Sequence, residues 1–269
     1  MWQPLQDIGG YKSMNRIGEV FNNKKAFIPF VTAGDPTLEI TEQLVIKMAL
    51  AGADLIELGI PFSDPVAEGP VIQEADYRAL AAGTTTDKIF DMVKRIRLVT
   101  GIPLAFMTYA NPIYTYGVER FMKNCQSVGI DGVIVPDIPY EEKEELQPFC
   151  DKYGITFISM IAPTSKERVQ MIAKEAKGFL YCVSSMGVTG ERSELNSSIG
   201  DLINLVKKVN DIPCAIGFGI STPEQAKQMS LVADGVIVGS AIVRLIGEYG
   251  ELCVPYVESY VRSMKGAIL

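Results

Sequence analysis

Short, uninterrupted apolar runs recur eight times along the chain: Ala26–Ala33, Leu55–Ile60, Pro103–Tyr109, Gly132–Asp137, Thr156–Ala162, Gly178–Ser184, Pro213–Gly219 and Gly235–Ala241. They are continuous in hydrophobicity rather than alternating. Strands of that kind must be covered on both faces, which points to a parallel sheet flanked by helices. Helical patterns fill the intervals. Val118, Phe121, Met122 and Cys125 fall at i, i+3, i+4 and i+7, as do Val169, Ile172, Ala173 and Ala176, and Ile199, Leu202, Ile203 and Val206. Each set lays one apolar stripe on a sheet and leaves charges outside. Thr222 followed by Pro223 and Glu224 is an N-cap with proline at the first helical position, opening a helix over Thr222–Val232.

Strands alternating with helices can close into a barrel or open into a doubly wound sheet. Eight units in roughly 215 residues, ending in one helix at about Ala241–Lys265, favour the α/β class as a (β/α)8 barrel. A helix over Met14–Asn22 is expected ahead of the first strand, and Met1–Ser13, without periodicity, reads as a loose extension. No low-complexity linker interrupts the chain, so residues 1–269 are expected to form a single domain.

The chain contains no histidine. That excludes histidine acid–base chemistry, histidine triads and histidine-ligated zinc, and leaves proton transfer at neutral pH to a carboxylate, Lys, Tyr or Cys. The formal charge is −7 and no basic run exceeds a pair, so nucleic acid is an unfavoured partner. Five scattered cysteines read as free core thiols of a reducing compartment. With no signal-like N-terminus and no apolar run near the roughly 20 residues of a membrane span, a cytoplasmic location is expected.

In a barrel the site is built from loops after the strands. Two such connections look long, Pro61 to about Asp87 and Ser185–Ser198, and the second, rich in small residues, reads as a mobile lid. Glu57 interrupts an apolar strand, so it should point into the barrel near its mouth, where desolvation raises a carboxyl pKa. Pairing with a buried Lys or Arg is the competing reading. Glu68 lies in a Gly/Pro-rich loop and is either a site carboxylate or a solvated acid. Gly217-Phe218-Gly219 and Gly239-Ser240 end strands just before helices, and backbone N–H groups of two such loops form a phosphate site. Phe30, Tyr109, Tyr181 and Phe218 lie at or near strand ends, either as pocket walls or as ordinary core aromatics.

Several strings resemble the tryptophan synthase α-subunit family: Pro29–Pro36, Glu57–Pro70, Tyr109–Pro112, Gly187–Gly190, Gly217–Ser221 and Gly235–Ile242. They occur in order over Met14 to about Gly247. The resemblance implies cofactor-free retro-aldol cleavage of indole-3-glycerol phosphate to indole and glyceraldehyde 3-phosphate. Indole would then pass to a β subunit in an α2β2 heterotetramer, with pyridoxal phosphate only in that partner. By the same resemblance Glu57 is the acid–base carboxylate. Glu68 accepts from the indole N–H, and Thr189 bonds Glu68 on lid closure. Gly190, Gly219, Gly239 and Ser240 bind phosphate. Phe30, Ile72, Tyr109, Ile134, Tyr181 and Phe218 wall the pocket, and Pro61 and Asp64 contact the β subunit. One position departs: the family's second carboxylate is usually Asp, and here it is Glu68. Either the loop Pro61–Pro70 is reshaped to carry it, or the chain is a weak lyase acting mainly as a regulatory subunit. A different phosphosugar barrel enzyme would share the glycine site but lack the Pro61–Pro65 string.

Overall fold

The apolar runs form the strands β1 (Ala26–Thr32), β2 (Ile56–Gly59), β3 (Leu104–Met107), β4 (Gly132–Ile134), β5 (Thr156–Phe157), β6 (Met160–Ile161), β7 (Leu180–Val183), β8 (Cys214–Gly217) and β9 (Gly235–Val238) in a computed structural model. The structure describes residues 16–183, 192–217 and 219–268, with residues 192–198 as backbone only. The fifth expected run is thus two short strands rather than one. The sheet order is β5-β4-β3-β2-β1-β9-β8-β7-β6 and every pairing is parallel. β5 and β6 lie at its two ends yet belong to one crossing. The Ile158 amide donates to Val133 O on one side, and Ser159 O accepts from the Tyr181 amide on the other. The split run therefore closes the barrel.

Helices cover the outside: α1 (Leu38–Leu50), α2 (Pro70–Ala81), α3 (Thr86–Arg97), α4 (Ala110–Tyr116), α5 (Val118–Val128), α6 (Gln147–Tyr153), α7 (Lys166–Glu175), α8 (Arg192–Lys207), α9 (Pro223–Ser230), α10 (Ser240–Tyr249) and α11 (Val254–Ala267). The stripes are where periodicity puts them. α5 buries Phe121, Met122 and Cys125, α7 buries Val169, Ile172 and Ala173, and Ile199, Leu202, Ile203 and Val206 of α8 are buried. All five cysteines are buried and free.

Four expectations need correction. The connection Pro61–Asp87 is loop only to Gly69, because Pro70 then opens α2, whose Ile72, Ala75, Asp76 and Ala79 face inward. In the connection Ser185–Ser198, α8 already begins at Arg192, and the residues before it lie outside those described, as does the extension Met1–Ser13. The final helix is two, α10 and α11, separated at Gly250 with φ 54° and reopened by Pro255, which cannot continue a helix from behind. The described part of Met14–Asn22 is a single 3-10 turn, Arg16–Glu19.

That turn closes the barrel floor. Ile17 is fully buried against the interior layer of Ile28, Leu55, Ala105, Ile158 and Phe179. Arg16 fastens it, with Nε donating to Asp131 Oδ1 at 2.7 Å and Nη2 to Gly129 O at 2.7 Å. Because side chains alternate along a strand, the residues two positions on from this layer also face inward, one step nearer the open end. Those are Phe30, Glu57, Met107, Met160 and Tyr181.

At that open end α9 carries a full capping box, in which the Thr222 side chain takes the Gln225 amide and the Gln225 side chain takes the Thr222 amide. Thr222→Ala is expected to cost about 1 kcal/mol. Thermal unfolding followed by circular dichroism should then show a Tm lower by about 2–4 °C. An unchanged Tm would mean that packing alone fixes this helix start.

Candidate active site

The open end of the barrel holds a cavity of about 640 Å³. Of the residues expected at a site, Phe30, Glu57, Glu68, Ile72, Tyr181, Gly219, Gly239 and Ser240 line it. Tyr109 and Ile134 stand behind the wall: both are buried, Ile134 in the interior layer and Tyr109 beneath the loop before α2. Thr189, Gly190 and Phe218 lie outside the described residues. Pro61 is buried at the start of the loop, and Asp64 is exposed at its rim, where it accepts the Ser63 hydroxyl.

Glu57 is inside because of strand period. Leu55 sits in the interior layer, and the residue two further along β2 must share its face. In register it lies between Phe30 on β1 and Ala105 on β3. Its side chain is fully buried and neither carboxyl oxygen has a hydrogen-bond partner. The expected alternative, a paired barrel glutamate, does not occur. Burial without compensation pushes its pKa from 4.5 up to about 8. Tyr181, wholly buried nearby, has its phenol pushed far up by the same burial and then by the Glu57 charge. A carboxyl held near neutrality in this way can both give and take a proton at working pH.

The shift has a stability consequence with a definite sign. Above about 4.5 the unfolded chain releases the Glu57 proton, while the folded state keeps it to about 8. Wild-type stability therefore falls between those two values and is flat with respect to this group beyond them. The Tm of Glu57→Gln relative to wild type should climb by several degrees from about pH 5 to about pH 8 and then level off. Parallel melting curves across that range would contradict the buried, unpaired carboxyl.

Glu68 is part-buried at the mouth, in the loop after β2 and just ahead of α2, so the solvated-acid reading does not describe it. The Asp76 and Tyr109 side chains stand close enough to its carboxyl to hold its pKa down against burial, while Oε2 is buried with no hydrogen-bond partner. The phenol oxygen of Tyr109 also receives the Ala67 amide at 3.0 Å. Asp76 escaped sequence reasoning, although a signal existed: it occupies an inward position of the stripe Ile72, Ala75, Asp76, Ala79, where an acid is out of place. Met107 and Met160 also line the cavity and were legible in principle, as inward residues of β3 and β6.

The far wall is made of backbone. Gly239 is the N-cap of α10 with no side-chain cap bond, so the first amides of that helix face the cavity beside Ser240 and Ala241. Gly219 has φ 72°, a left-handed conformation open to glycine but strained for other residues. At Gly217 a Cβ would come within 2.5 Å of the Tyr181 hydroxyl, so only glycine lets that ring lie against β8. A helix N-terminus flanked by glycine turns is a ready site for an anion such as phosphate. Among the described lining residues Arg244 is the one cation. The cavity thus has a wall of helix amides and glycine turns, an apolar floor and two carboxyls with buried, unpaired oxygens.

Comparison with known proteins follows the same lines. A family model described as tryptophan synthase alpha chain matches residues 19–268. The chain is 47% identical over 255 residues to the tryptophan synthase alpha chain of Lacticaseibacillus casei, covering 95% of this chain and 96% of that one. It is 46% identical over 259 residues to that of Thermoanaerobacter sp. (strain X514), covering 94% and 99%. Among solved structures, tryptophan synthase subunit alpha from Legionella pneumophila str. Paris matches with a TM-score of 0.87 at 38% identity, over 95% of this chain and 99% of that one. A chain of the tryptophan synthase complex from Pyrococcus furiosus matches with a TM-score of 0.81 at 36% identity, over 90% and 99%.

Proposed function

The chain belongs to the tryptophan synthase alpha chain family, and on that premise we propose how its own residues cleave indole-3-glycerol phosphate into indole and glyceraldehyde 3-phosphate. The reaction uses no cofactor; pyridoxal phosphate belongs to the beta chain. The substrate phosphate rests on the α10 N-terminus with Ser240 and the Gly219 turn, where helix amides and dipole favour an anion. The indole ring lies in the apolar cavity walled by Phe30, Ile72 and Tyr181. Its N–H points to Glu68 and its side-chain hydroxyl to Glu57.

Cleavage is a retro-aldol step. Protonation at indole C3 turns the ring into an indolenine with positive charge at nitrogen. Loss of the hydroxyl proton then lets the carbon–carbon bond break. Its electron pair returns to the ring, restoring indole, and the side chain leaves as the aldehyde. Glu57 takes the hydroxyl proton and assists protonation at C3, which a carboxyl poised near neutrality can do in both directions. Glu68 accepts from the indole N–H and stabilises the positive charge. Thr189, Gly190 and Phe218, expected from the family resemblance to bond Glu68, bind phosphate and wall the pocket, lie outside the described residues. The observation that carries the reading is Glu57 itself: a fully buried, unpaired carboxyl in an apolar barrel mouth, facing a cavity with an anion-binding wall.

Indole would pass to a β subunit within an α2β2 assembly, docked on the rim that carries Pro61 and Asp64. A cytoplasmic location suits such an enzyme, and among the described residues no helix is long and apolar enough to cross a membrane. Residues 1–269 are taken to act as one folding unit. Single-turnover assays of indole release, with the chain alone and with the β subunit, test the proposal. Indole and aldehyde should appear in equal amounts, faster in the complex. No indole in either state would overturn it.

A further inference from the structure

Asp76 lies on α2, with the residue 5% exposed, and is the one acid in that helix's inward stripe. Three groups surround its carboxyl. The Glu68 side chain meets it from just ahead of α2, the backbone amide of Phe62 lies near enough to favour its charged form, and Asp35 is close enough to be felt as charge. Asp35 is itself neutralised: Arg78, half a turn further on α2, holds it with two bonds of 2.8 Å. Tyr109 faces Glu68 from the β3–α4 junction. α10, which packs on α2, brings Arg244 to the same cavity without an ion pair among the described residues. Among the described residues no cation therefore bridges Asp76 and Glu68.

Two carboxyls in contact in a partly dry site cannot both ionise cheaply, so the pair keeps one proton. The reaction proposed above decides where it rests: Glu68 must accept the indole N–H, so it is the carboxylate, beside the Tyr109 phenol whose oxygen already takes the Ala67 amide and leaves its hydrogen to give. Asp76 then holds the proton toward Glu68. Asp76 is held well above the ordinary carboxyl range by burial first and the Glu68 charge second.

We propose that Asp76 is a positioning residue: as a neutral acid it donates a hydrogen bond to Glu68 and so fixes Glu68 as a carboxylate turned to the cavity, ready for the indole N–H. This rests on the role proposed above for Glu68. When pH rises far enough to strip Asp76, the two carboxylates repel, Glu68 swings away, and catalysis falls. Loss of the Asp76 proton then steepens the alkaline fall in rate that Glu57, with its own pKa of about 8, already sets.

Asn in place of Asp76 separates this from a structural role. Its amide oxygen can still accept from Phe62, and its NH2 can still donate to Glu68, but it does not titrate. In the full chain with its β partner, the alkaline fall of log kcat should flatten in Asp76→Asn from a slope of about two, for Glu57 and Asp76 together, to a slope of about one for Glu57 alone. Asp76→Ala removes the donor, and kcat should fall between about ten- and 100-fold at all pH values with a smaller change in KM. Thermal melting and glycerol phosphate binding check that both variants fold. The infrared carbonyl band of a protonated carboxyl should weaken in Asp76→Asn relative to wild type. A wild-type alkaline limb retained in Asp76→Asn, or a wild-type rate in Asp76→Ala, would overturn the proposal. Should Glu68→Ala leave the rate intact, the Glu68 reading fails and the positioning role with it, while the infrared difference would still report the shared proton.

Discussion

Glu57→Gln is expected to abolish indole release while leaving the cavity intact. The amide fills the same volume in β2 and keeps the register with Phe30 and Ala105. It has no basic oxygen to take the hydroxyl proton and no acidic proton to deliver to C3. General acid–base catalysis contributes roughly 100- to 10,000-fold, and the loss should be at least the lower figure because one residue serves both directions. Affinity for glycerol phosphate should change little, since the wall proposed to hold the phosphate is backbone following β9 rather than the Glu57 side chain. Association with the β subunit should also survive. Retention of more than about a tenth of the wild-type rate would remove Glu57 from the acid–base role.

The second large effect is expected at Glu68. Glu68→Ala removes the acceptor for the indole N–H and should lose most of the activity, with folding unimpaired because the side chain is only part-buried. Glu68→Asp is the more telling variant. It keeps the charge but shortens the side chain by one carbon–carbon bond, about 1.5 Å. The longer residue is what reaches Asp76 on α2 and Tyr109 by the loop. An aspartate on the same backbone falls short of both partners and of the indole, and a misplacement near 1 Å can cost on the order of 100-fold. The loop that carries it is pinned by Pro70 at the start of α2 and by the bond from the Gln73 side chain to Glu68 O at 2.8 Å, so the backbone has little freedom to follow. A faster Glu68→Asp enzyme would instead make Glu68 a handicap and favour the regulatory-subunit reading. An unaffected Glu68→Ala enzyme would leave the residue without a catalytic part.

Local pattern carried much of this protein. Continuous apolar runs announced strands covered on both faces, and helical stripes announced which sides of α5, α7 and α8 would be buried. An acid inside the run Leu55–Ile60 announced a carboxyl in the barrel, and glycines at the ends of β8 and β9 announced backbone within reach of an anion. These are properties of a few consecutive residues: strand and helix periods are set by backbone geometry, and glycine's latitude by its missing Cβ.

What tertiary structure alone decided lies between elements. The fifth run broke into β5 and β6 because one crossing must pair with neighbours on two sides to close the barrel, a demand that no local period records. The final helix broke at Gly250, where the chain turns from α10 into α11. For Glu57, the residue's type left open whether a cation would meet it. That depended on which inward side chains β1, β3 and β7 place around it, and they place Phe30, Ala105 and Tyr181 rather than Lys or Arg. The meeting of Glu68 with Asp76 is of the same kind. They lie eight positions apart, Glu68 in the loop just ahead of α2 and Asp76 inside that helix, and the path of that loop is set by Pro70, the Ala67–Tyr109 bond and the Asp35–Arg78 pair. A carboxyl's pKa is fixed by the solvent it loses and the charges it meets, and both are sums over neighbours that folding brings from elsewhere in the sequence.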